Sequence, residues 1–156
     1  MTAYQISLRI PDVSDFSFML EVETDEQNQK YTNLEKPSPD EVMAFLISGQ
    51  DYLLNGQLRL MIILESQVVG MIDLFNASED RKQAETGIFI RRQDRRNGIA
   101  NAAYNMLFEL CMRLGIVELE AEVSVLNTPA NKLYKALGFN KTTELAGFNK
   151  YHKVID

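Results

Sequence analysis

The chain has 156 residues, of which 46% are apolar, and it carries a formal net charge of −6. This size and composition fit one globular domain over residues 1–156, and the acidic balance argues against nucleic acid as a partner. No apolar run approaches the roughly 18 residues of a membrane span, and the first residues lack a signal-peptide layout, so we expect a cytoplasmic protein without a membrane partner.

The first half of the chain predicts a strand, two helices and a hairpin. In order, these are a strand at 6–10, a helix at 13–22, a polar loop or broken helix at 23–37, a helix from 38 to about 54, and strands at 58–66 and 67–75. The second helix has the clearest signal. Ser38 and Glu41 form a capping box around Pro39 in the first helical position, and apolar residues follow at helical spacing through Leu53.

The second half adds two helices and four strands. In order, these are a strand at 84–91, a helix at 98–114, a strand at 117–126, a helix at 128–137, and strands at 138–145 and 148–155. The order β-α-α-β-β-β-α-β-α-β-β combines a hairpin with β-α-β crossovers. It predicts an α/β (α+β) domain in which helices cover a mixed sheet, and not a purely parallel doubly wound sheet.

Reactive side chains are few. Cys111 and His152 are the only cysteine and histidine, which excludes an intramolecular disulfide and the usual kind of zinc site. Cys111 falls among apolar residues of a predicted helix, so we interpret it as a buried, inert thiol. No G-x-S-x-G segment supplies an activated serine. We expect no metal and no covalent enzyme intermediate.

Four arginines crowd the junction RRQDRRNGIA at 91–100, between a predicted strand and a predicted helix. The first turn of a helix exposes unpaired N–H groups and a partial positive charge, which bind anions. Gly98 lets a phosphate approach the backbone, Ala100 keeps the next position small, and Arg95 and Arg96 add fork-shaped donors. The arrangement fits two linked phosphates. An exposed basic loop is the alternative, because the short R-x-x-G-x-A pattern is weak alone and is not a P-loop.

A second group of polar residues lies in EVSVLNTPANKLYKALGF at 122–139. Asn127 ends a predicted strand and can cap the next helix, where Asn131 and Tyr134 follow on the same side. A tyrosine there could donate a proton to a leaving group across the strand-to-helix cleft. Glu122 precedes Asn127 on the strand. Each residue also has a structural alternative: a core tyrosine, a helix cap or a solvated strand glutamate.

Together, the two segments resemble the GCN5-related N-acetyltransferase (GNAT) superfamily. The first resembles its acetyl-CoA pyrophosphate motif, (Q/R)-x-x-G-x-(G/A), matched by Arg95, Gly98 and Ala100. The second resembles its N-x-x-A-x-x-L-Y-x-x-x-G-F segment, matched by Asn127, Ala130, Leu133, Tyr134, Gly138 and Phe139. The layout IDLF…AETGIFI is similar to ribosomal-protein and spermidine/spermine-type N-acetyltransferases. The resemblance implies a GNAT-type mixed, mostly antiparallel central sheet of six to seven strands flanked by about four helices.

The resemblance also implies residue roles. In this family the strand before the arginine loop splays from its neighbour, and its free backbone groups bind the pantetheine arm; here these are Ile88, Phe89 and Ile90. Asn127 would contact the cofactor arm, and Tyr134 would protonate the departing CoA thiolate. Position 131 is usually apolar in the family, so Asn131 is expected to add a polar contact to cofactor or substrate. The pyrophosphate would be held by Arg95, Arg96, Asn97, Gly98, Ile99 and Ala100.

The implied reaction is direct transfer of the acetyl group of acetyl-CoA, as co-substrate, to a primary amine. An alkylammonium has a pKa of about 10 and must lose a proton before it attacks. Glu122 matches the glutamate position used by some ribosomal-protein acetyltransferases and is favoured as the base. Glu85, on the preceding strand, matches a position used by other family members and is the alternative. A water chain ending on either glutamate is a third route. The nascent oxyanion would lie against a strand N–H in residues 88–90.

The acceptor stays open between a small amine or polyamine and a protein N-terminus. Residues 13–57 and the last hairpin should select it, and the acidic run at Glu21, Glu23, Asp25 and Glu26 is either a solvated loop or a dock for such a cation. Two other functions compete: a catalytically silent acyl-CoA-binding or sensor domain of the same fold, and a protein-interaction domain with a basic docking loop. Dimers are common in the family, but no sequence feature decides between a monomer and a homodimer.

Overall fold

The computed structural model describes residues 5–29, 35–95 and 97–156, and they form one seven-stranded sheet. The strands are β1 Ile6–Arg9, β2 Leu58–Leu64, β3 Gln67–Phe75, β4 Gln83–Ile90, β5 Glu118–Ser124, β6 Asn140–Leu145 and β7 Phe148–Val154. Their order across the sheet is β1-β2-β3-β4-β5-β7-β6. Every neighbouring pair is antiparallel except β4 and β5. The predicted mixed, mostly antiparallel sheet is therefore confirmed.

Besides 3₁₀ turns at Val13–Asp15 and Arg92–Asp94, four longer α-helices and two single α-helical turns flank this sheet in the described part of the chain. They are α1 Phe16–Thr24, α2 Glu26–Gln29, α3 Pro39–Ser48, α4 Tyr52–Asn55, α5 Ile99–Leu114 and α6 Thr128–Ala136. None of the helices in the described ranges is long and apolar enough to cross a membrane. The two single turns, α2 and α4, account for the difference from the predicted helix count.

The helix predicted over residues 38 to 54 is in fact two helices. Its start is as predicted, because Ser38 and Glu41 form the capping box of α3. The chain then leaves the helix at Gly49, whose φ of 75° lies in the left-handed region that favours glycine. Asp51 begins α4 by accepting hydrogen bonds from the N–H groups of Leu53 and Leu54. The sequence predicted one helix because the apolar spacing continues past Gly49 and Asp51, where the backbone breaks. In the loop or broken helix predicted at 23–37, α1 ends at Thr24 and the single turn α2 follows, which fits the broken-helix alternative; residues 30–34 lie outside the described ranges.

The helices divide between the two faces of the sheet. On one side α5 and α6 bury residues such as Tyr104, Leu107 and Tyr134 in the larger core. On the other side α1 and α3 bury Met19 and Val42 against Met61 and Met71 of the strands. We call these sides the α5 face and the α1 face. Because side chains alternate along a strand, neighbouring residues of β4 and β5 point to opposite faces.

Candidate active site

The single parallel pair of strands, β4 and β5, is paired over only three residue positions. The paired residues are Gln83 with Glu118, Ala84 with Leu119, and Glu85 with Glu120. Beyond them, residues 86–90 of β4 pair with β3 and residues 121–124 of β5 pair with β7. Within the described chain the facing edges of these two segments therefore have no strand partner, and the sheet opens as a wedge. Ile88, Phe89 and Ile90 lie along this opening.

The start of α5 lies directly after β4 and offers free backbone donors. Gly98 is its N-cap residue with a φ of 78°, and no side chain among the described residues caps the helix. A Cβ at Gly98 would meet no atom within 4 Å, so the backbone angle and not space requires glycine here. Asn97 is exposed, whereas the Ile99 side chain is buried, so Ile99 can offer only its backbone.

The described arginines of the junction have separate partners. Arg91 pairs with Asp94 at 2.7 Å, and Arg92 donates to the side chain of Gln27 at 2.8 Å. Arg95 folds back along β4: its Nε donates to the Ile90 carbonyl at 2.8 Å, and its guanidinium lies 5.5 Å from the centre of the Phe89 ring. Burial and the charge of Arg92 lower the pKa of Arg95 from its usual value. Arg96 lies outside the described residues.

Asn131 forms the centre of a buried hydrogen-bond network between β5, β7 and α6. Its Nδ2 donates to the Ser124 and Asn127 carbonyls at 2.9 and 2.8 Å. Its Oδ1 accepts from Asn149 Nδ2 at 2.9 Å and from the Tyr151 hydroxyl at 2.6 Å. Both donors and both acceptor positions of the amide are therefore occupied by protein groups. The side chain has no free position for the ligand contact predicted from the sequence.

Asn127 caps α6 as the sequence predicts. Its Oδ1 accepts from the Ala130 N–H at 3.3 Å, and its carbonyl receives one of the Asn131 donors. The Asn127 side-chain amide keeps its own donors, and the residue is only half-buried beside the open end of β5. Asn131 therefore holds the backbone of Asn127, whose side-chain amide remains available to a ligand.

Tyr134 lies on the α5 face, with only 4% of its surface exposed. Its hydroxyl is 2.6 Å from the Tyr104 hydroxyl, which is 3.1 Å from Thr86 Oγ1 on the first parted residue of β4. Burial raises the pKa of Tyr134 to about 12, so the phenol is protonated at neutral pH. Tyr104 and Thr86 were missed from the sequence, because Tyr104 follows the apolar spacing of its helix and gives no sign of its polar end.

The two candidate bases, Glu85 and Glu122, lie on the other side of the sheet. The neighbours of each on its strand are buried on the α5 face, so both carboxylates point to the α1 face. Glu85 Oε2 accepts from Asn76 Nδ2 at 2.7 Å, and Glu122 is exposed opposite Lys150 of β7. Glu120 lies between them, opposite Glu85, and was not singled out from the sequence. The alternation in ELEAE was the signal that could have identified it.

The acidic run at residues 21–26 is not a uniform anionic surface. Glu23 forms an ion pair with Arg59, which also contacts Asp73 with two hydrogen bonds of 2.8 Å. Burial opposes the charge on Arg59, but the two carboxylates outweigh it and raise its pKa above the usual value. The Asp25 carboxylate accepts from the Gln27 N–H at 2.8 Å and so serves the start of α2.

Two of the clefts that the described residues form lie on the α1 face. One, of about 650 Å³, lies between α1 and the end of β4, where its walls include Phe18, Glu21 and Phe89. The other, of about 430 Å³, lies between α1, α3 and the middle strands. It reaches Phe75, the β3 partner of Glu85. The walls of this second cleft include Glu35, Pro37, Glu41, Val42, Phe45 and Phe75.

Solved structures share this fold over nearly the whole chain. The spermidine N-acetyltransferase of Vibrio cholerae in complex with CoA and spermine matches with a TM-score of 0.86 and 19% identity, over 97% of this chain and 96% of the other. A ribosomal L7/L12 alpha-N-protein acetyltransferase, RimL, in complex with coenzyme A matches at 0.82 and 17%, over 100% and 97%. The aminoglycoside acetyltransferase AAC(6')-Ib with coenzyme A and kanamycin matches at 0.78 and 14%, over 96% and 95%. No curated protein sequence matches the chain at a significant level.

The wedge between β4 and β5, beside a helix start without a side-chain cap, belongs to a fold that this chain shares with these solved N-acetyltransferases. A family model gives a sharper assignment, because the Acetyltransferase (GNAT) domain matches residues 5–140. The chain belongs to this family of acetyltransferases. The family expected from the arginine junction and the NTPANKLYKALGF segment is thus confirmed.

Proposed function

We propose that the chain transfers the acetyl group of acetyl-CoA to a primary amine, by direct attack while both substrates are bound. One observation carries this proposal: candidate acid and base groups lie on opposite faces of a single opening in the sheet. Tyr134 is on the α5 face, and Glu85 and Glu122 are on the α1 face. A thioester held in the wedge would have its sulfur near the tyrosine and its carbonyl carbon open to an amine from the other face.

The cofactor side of the proposal uses backbone groups. The pantetheine arm lies along the free edge of residues 88–90, and the pyrophosphate lies at the start of α5. The uncapped N–H groups that follow Gly98 carry the positive end of the helix dipole, which supports this placement. Arg95 has used its Nε on Ile90, so its terminal nitrogens remain for the phosphates. Asn127 contributes its side-chain amide to the arm, and Asn131 supports it without touching the ligand.

The chemical step exchanges one bond for another. The amine nitrogen forms a bond to the thioester carbonyl carbon, and the carbon–sulfur bond breaks with its electron pair going to sulfur. Tyr134 gives its proton to that sulfur, and the base takes a proton from the nitrogen. We assign the base to Glu122, which lies on the parted segment of β5, and keep Glu85, on the last paired rung, as the alternative. A strand N–H in residues 88–90 is the oxyanion donor in this scheme.

The acceptor in this proposal is a slender alkylammonium, such as the end of a polyamine. The cleft of about 430 Å³ supports it, because apolar walls at Val42, Phe45 and Phe75 suit methylene groups while Glu35 and Glu41 suit a second cation. The cleft reaches the strand partner of Glu85 and so leads toward the wedge. A protein N-terminus is the second candidate, because the cleft of about 650 Å³ beside it would accommodate a peptide.

The test of activity is a thiol-release assay with acetyl-CoA and an amine panel. The panel contains polyamines, aminoglycosides, amino acids and N-terminal peptides of ribosomal proteins, and each product is confirmed by mass. Polyamines should be the best acceptors; a preference for peptides would instead assign the protein N-terminus. Binding of CoA without transfer to any amine would reject the enzyme and favour a silent acyl-CoA-binding domain, whereas no CoA binding would reject both.

The residue assignments need matched controls. Arg95→Glu should weaken acetyl-CoA binding at least tenfold, whereas Arg113→Glu, with the same charge change at the exposed far end of α5, should not. Glu122→Gln should lower turnover by about 100-fold if it is the base, and Glu118→Gln, on the same strand and face, should leave turnover unchanged. A large loss in Glu85→Gln with normal Glu122→Gln would transfer the base to Glu85.

A further inference from the structure

The hydroxyl groups behind Tyr134 form a hydrogen-bonded chain that runs from Thr86 through Tyr104 to Tyr134. Thr86 Oγ1 lies 2.9 Å from the Asp73 carbonyl oxygen, which can only accept, so the Thr86 proton points there. In the 3.1 Å contact between Thr86 and Tyr104, the donor must then be Tyr104. Tyr104 has now used its proton, so in the 2.6 Å contact between the two tyrosines the donor is Tyr134.

This order has a consequence for the proposed acid. The only proton of the Tyr134 hydroxyl points into the protein, and no group among the described residues donates to its oxygen. The ring itself is held between Phe139 and Tyr151, with centroid distances of 5.1 and 6.0 Å. To protonate a sulfur in the wedge, Tyr134 must therefore turn its O–H bond away from Tyr104 while its ring stays in place.

The phenolate that remains after proton transfer is buried and needs a donor. Of the described residues, only Tyr104 places a hydroxyl within hydrogen-bond distance of it. Tyr104 can rotate its O–H from Thr86 to the phenolate, and Thr86 keeps its bond to Asp73. Hydrogen bonds to charged acceptors are about twice as strong as neutral ones, which favours the rotation once charge develops. The Tyr104 hydrogen bond also works against the rise in the pKa of Tyr134 that burial causes.

We propose that Tyr104 is a positioning residue for the acid: it holds the Tyr134 proton inward in the free enzyme and turns its own O–H to the Tyr134 oxygen as that proton leaves for the thiolate. The Tyr134 O–H bond breaks, the S–H bond forms, and solvent water later returns a proton to the phenolate. The kinetic part of this inference rests on the proposed acetyl transfer. The inferred direction of the hydrogen bonds is independent of the proposed acetyl transfer.

A titration without any substrate tests the hydrogen-bond direction. Tyr134 is replaced by 3,5-difluorotyrosine, whose phenol ionises at a lower pH, and its ionisation is followed by ¹⁹F NMR. Tyr104→Phe removes both the acceptor of the neutral phenol and the donor to the phenolate. Because the bond to the charged form is about twice as strong, the ionisation constant should fall about tenfold. Thr86→Val removes the acceptor that competes for the Tyr104 proton, so the constant should rise severalfold. Loosened packing alone would not shift the ionisation constant in opposite directions in the two variants. Shifts of the same sign in both variants would overturn the proposal.

Kinetics supply the second test. Tyr104→Phe should lower kcat about tenfold and leave the KM for acetyl-CoA within twofold. The matched control is Tyr52→Phe, because Tyr52 is equally buried and its hydroxyl donates to the Arg81 carbonyl at 3.1 Å, away from the wedge. The control should keep the wild-type kcat.

The two proposals fail separately in these measurements. Full turnover by Tyr134→Phe would overturn the acid assignment and the kinetic part of this inference, while the titration still decides the hydrogen-bond direction. Loss of turnover in Tyr134→Phe with wild-type kcat and titration in Tyr104→Phe would overturn the role of Tyr104 alone. If Tyr104→Phe fails to fold, the Thr86→Val titration decides, and a constant that falls or stays unchanged counts against the proposal.

Discussion

Replacing Asn131 by leucine should destabilise the protein far more than so small a change in the side chain suggests. The amide makes four hydrogen bonds in the buried space between β5, β7 and α6. Leucine has the same number and branching of side-chain heavy atoms but satisfies none of these hydrogen bonds. The substitution would leave the Asn149 amide and the Tyr151 hydroxyl buried without a partner, and would release the Ser124 and Asn127 carbonyls.

The magnitude follows from these lost partners. A buried polar group left unsatisfied costs about 1–3 kcal/mol, and two side chains lose their acceptor together. Greater apolar burial by leucine offsets about 1 kcal/mol of this cost. The expected fall in the free energy of unfolding is about 1–5 kcal/mol, which for a chain of this size lowers the Tm by roughly 2–20 °C.

Urea unfolding of a small set of variants measures this cost and its cause. Asn131→Leu alone should show the full loss with an unchanged m-value. The triple variant Asn131→Leu, Asn149→Leu, Tyr151→Phe also removes the two stranded side-chain groups and should recover part of the stability, while the Ser124 and Asn127 carbonyls stay without the Asn131 donors. A loss below about 1 kcal/mol in the single variant, or a triple variant less stable than the single one, would refute the reasoning.

Three further results are expected. Gly70→Ala should lower the free energy of unfolding by about 1–3 kcal/mol in urea titrations, because a Cβ would come within 2.2 Å of the Phe89 carbonyl oxygen, and stability equal to wild type would contradict this. Native Cys111 should resist iodoacetamide at pH 8 while the urea-unfolded chain reacts, because burial raises the pKa of its thiol to about 12; rapid alkylation of native protein would count against it. Burial raises the pKa of Tyr134 from 10.0 to about 12, so the native state keeps a proton that the unfolded chain releases above pH 10. Stability should therefore fall as pH rises from 10 to 12, by up to about 3 kcal/mol, and less steeply in Tyr134→Phe.

Local signals in the sequence were enough for most of the fold. The capping box at Ser38, the apolar stripe of α5 and the glycine that ends it each specify an element from a few neighbouring residues. The division at Gly49 was missed because the apolar spacing continued across it. Spacing reports which residues can share a face, and it does not report where the backbone leaves the helix.

The candidate site was harder to predict, because it depends on pairings between distant segments. Gly98 follows from a local motif, and the structure adds that its backbone angle and not its size is what matters. The saturation of Asn131 could not be read from sequence, since two of its partners come from β7. The Tyr104 hydroxyl was equally hidden, because a tyrosine on an apolar stripe gives no sign of which hydroxyl it meets.

The central claim is acetyl transfer with Tyr134 as the acid, and one paired measurement tests it most directly. Thiol release from acetyl-CoA and the mass of the acetylated amine are followed in the same reaction, for the wild type and for Tyr134→Phe. We expect one acetylated amine for each thiol released, and a turnover at least about 100-fold lower in Tyr134→Phe with nearly unchanged acetyl-CoA binding. Thiol release without acetylated product, or full turnover by Tyr134→Phe when chemistry is rate-limiting, would contradict the claim.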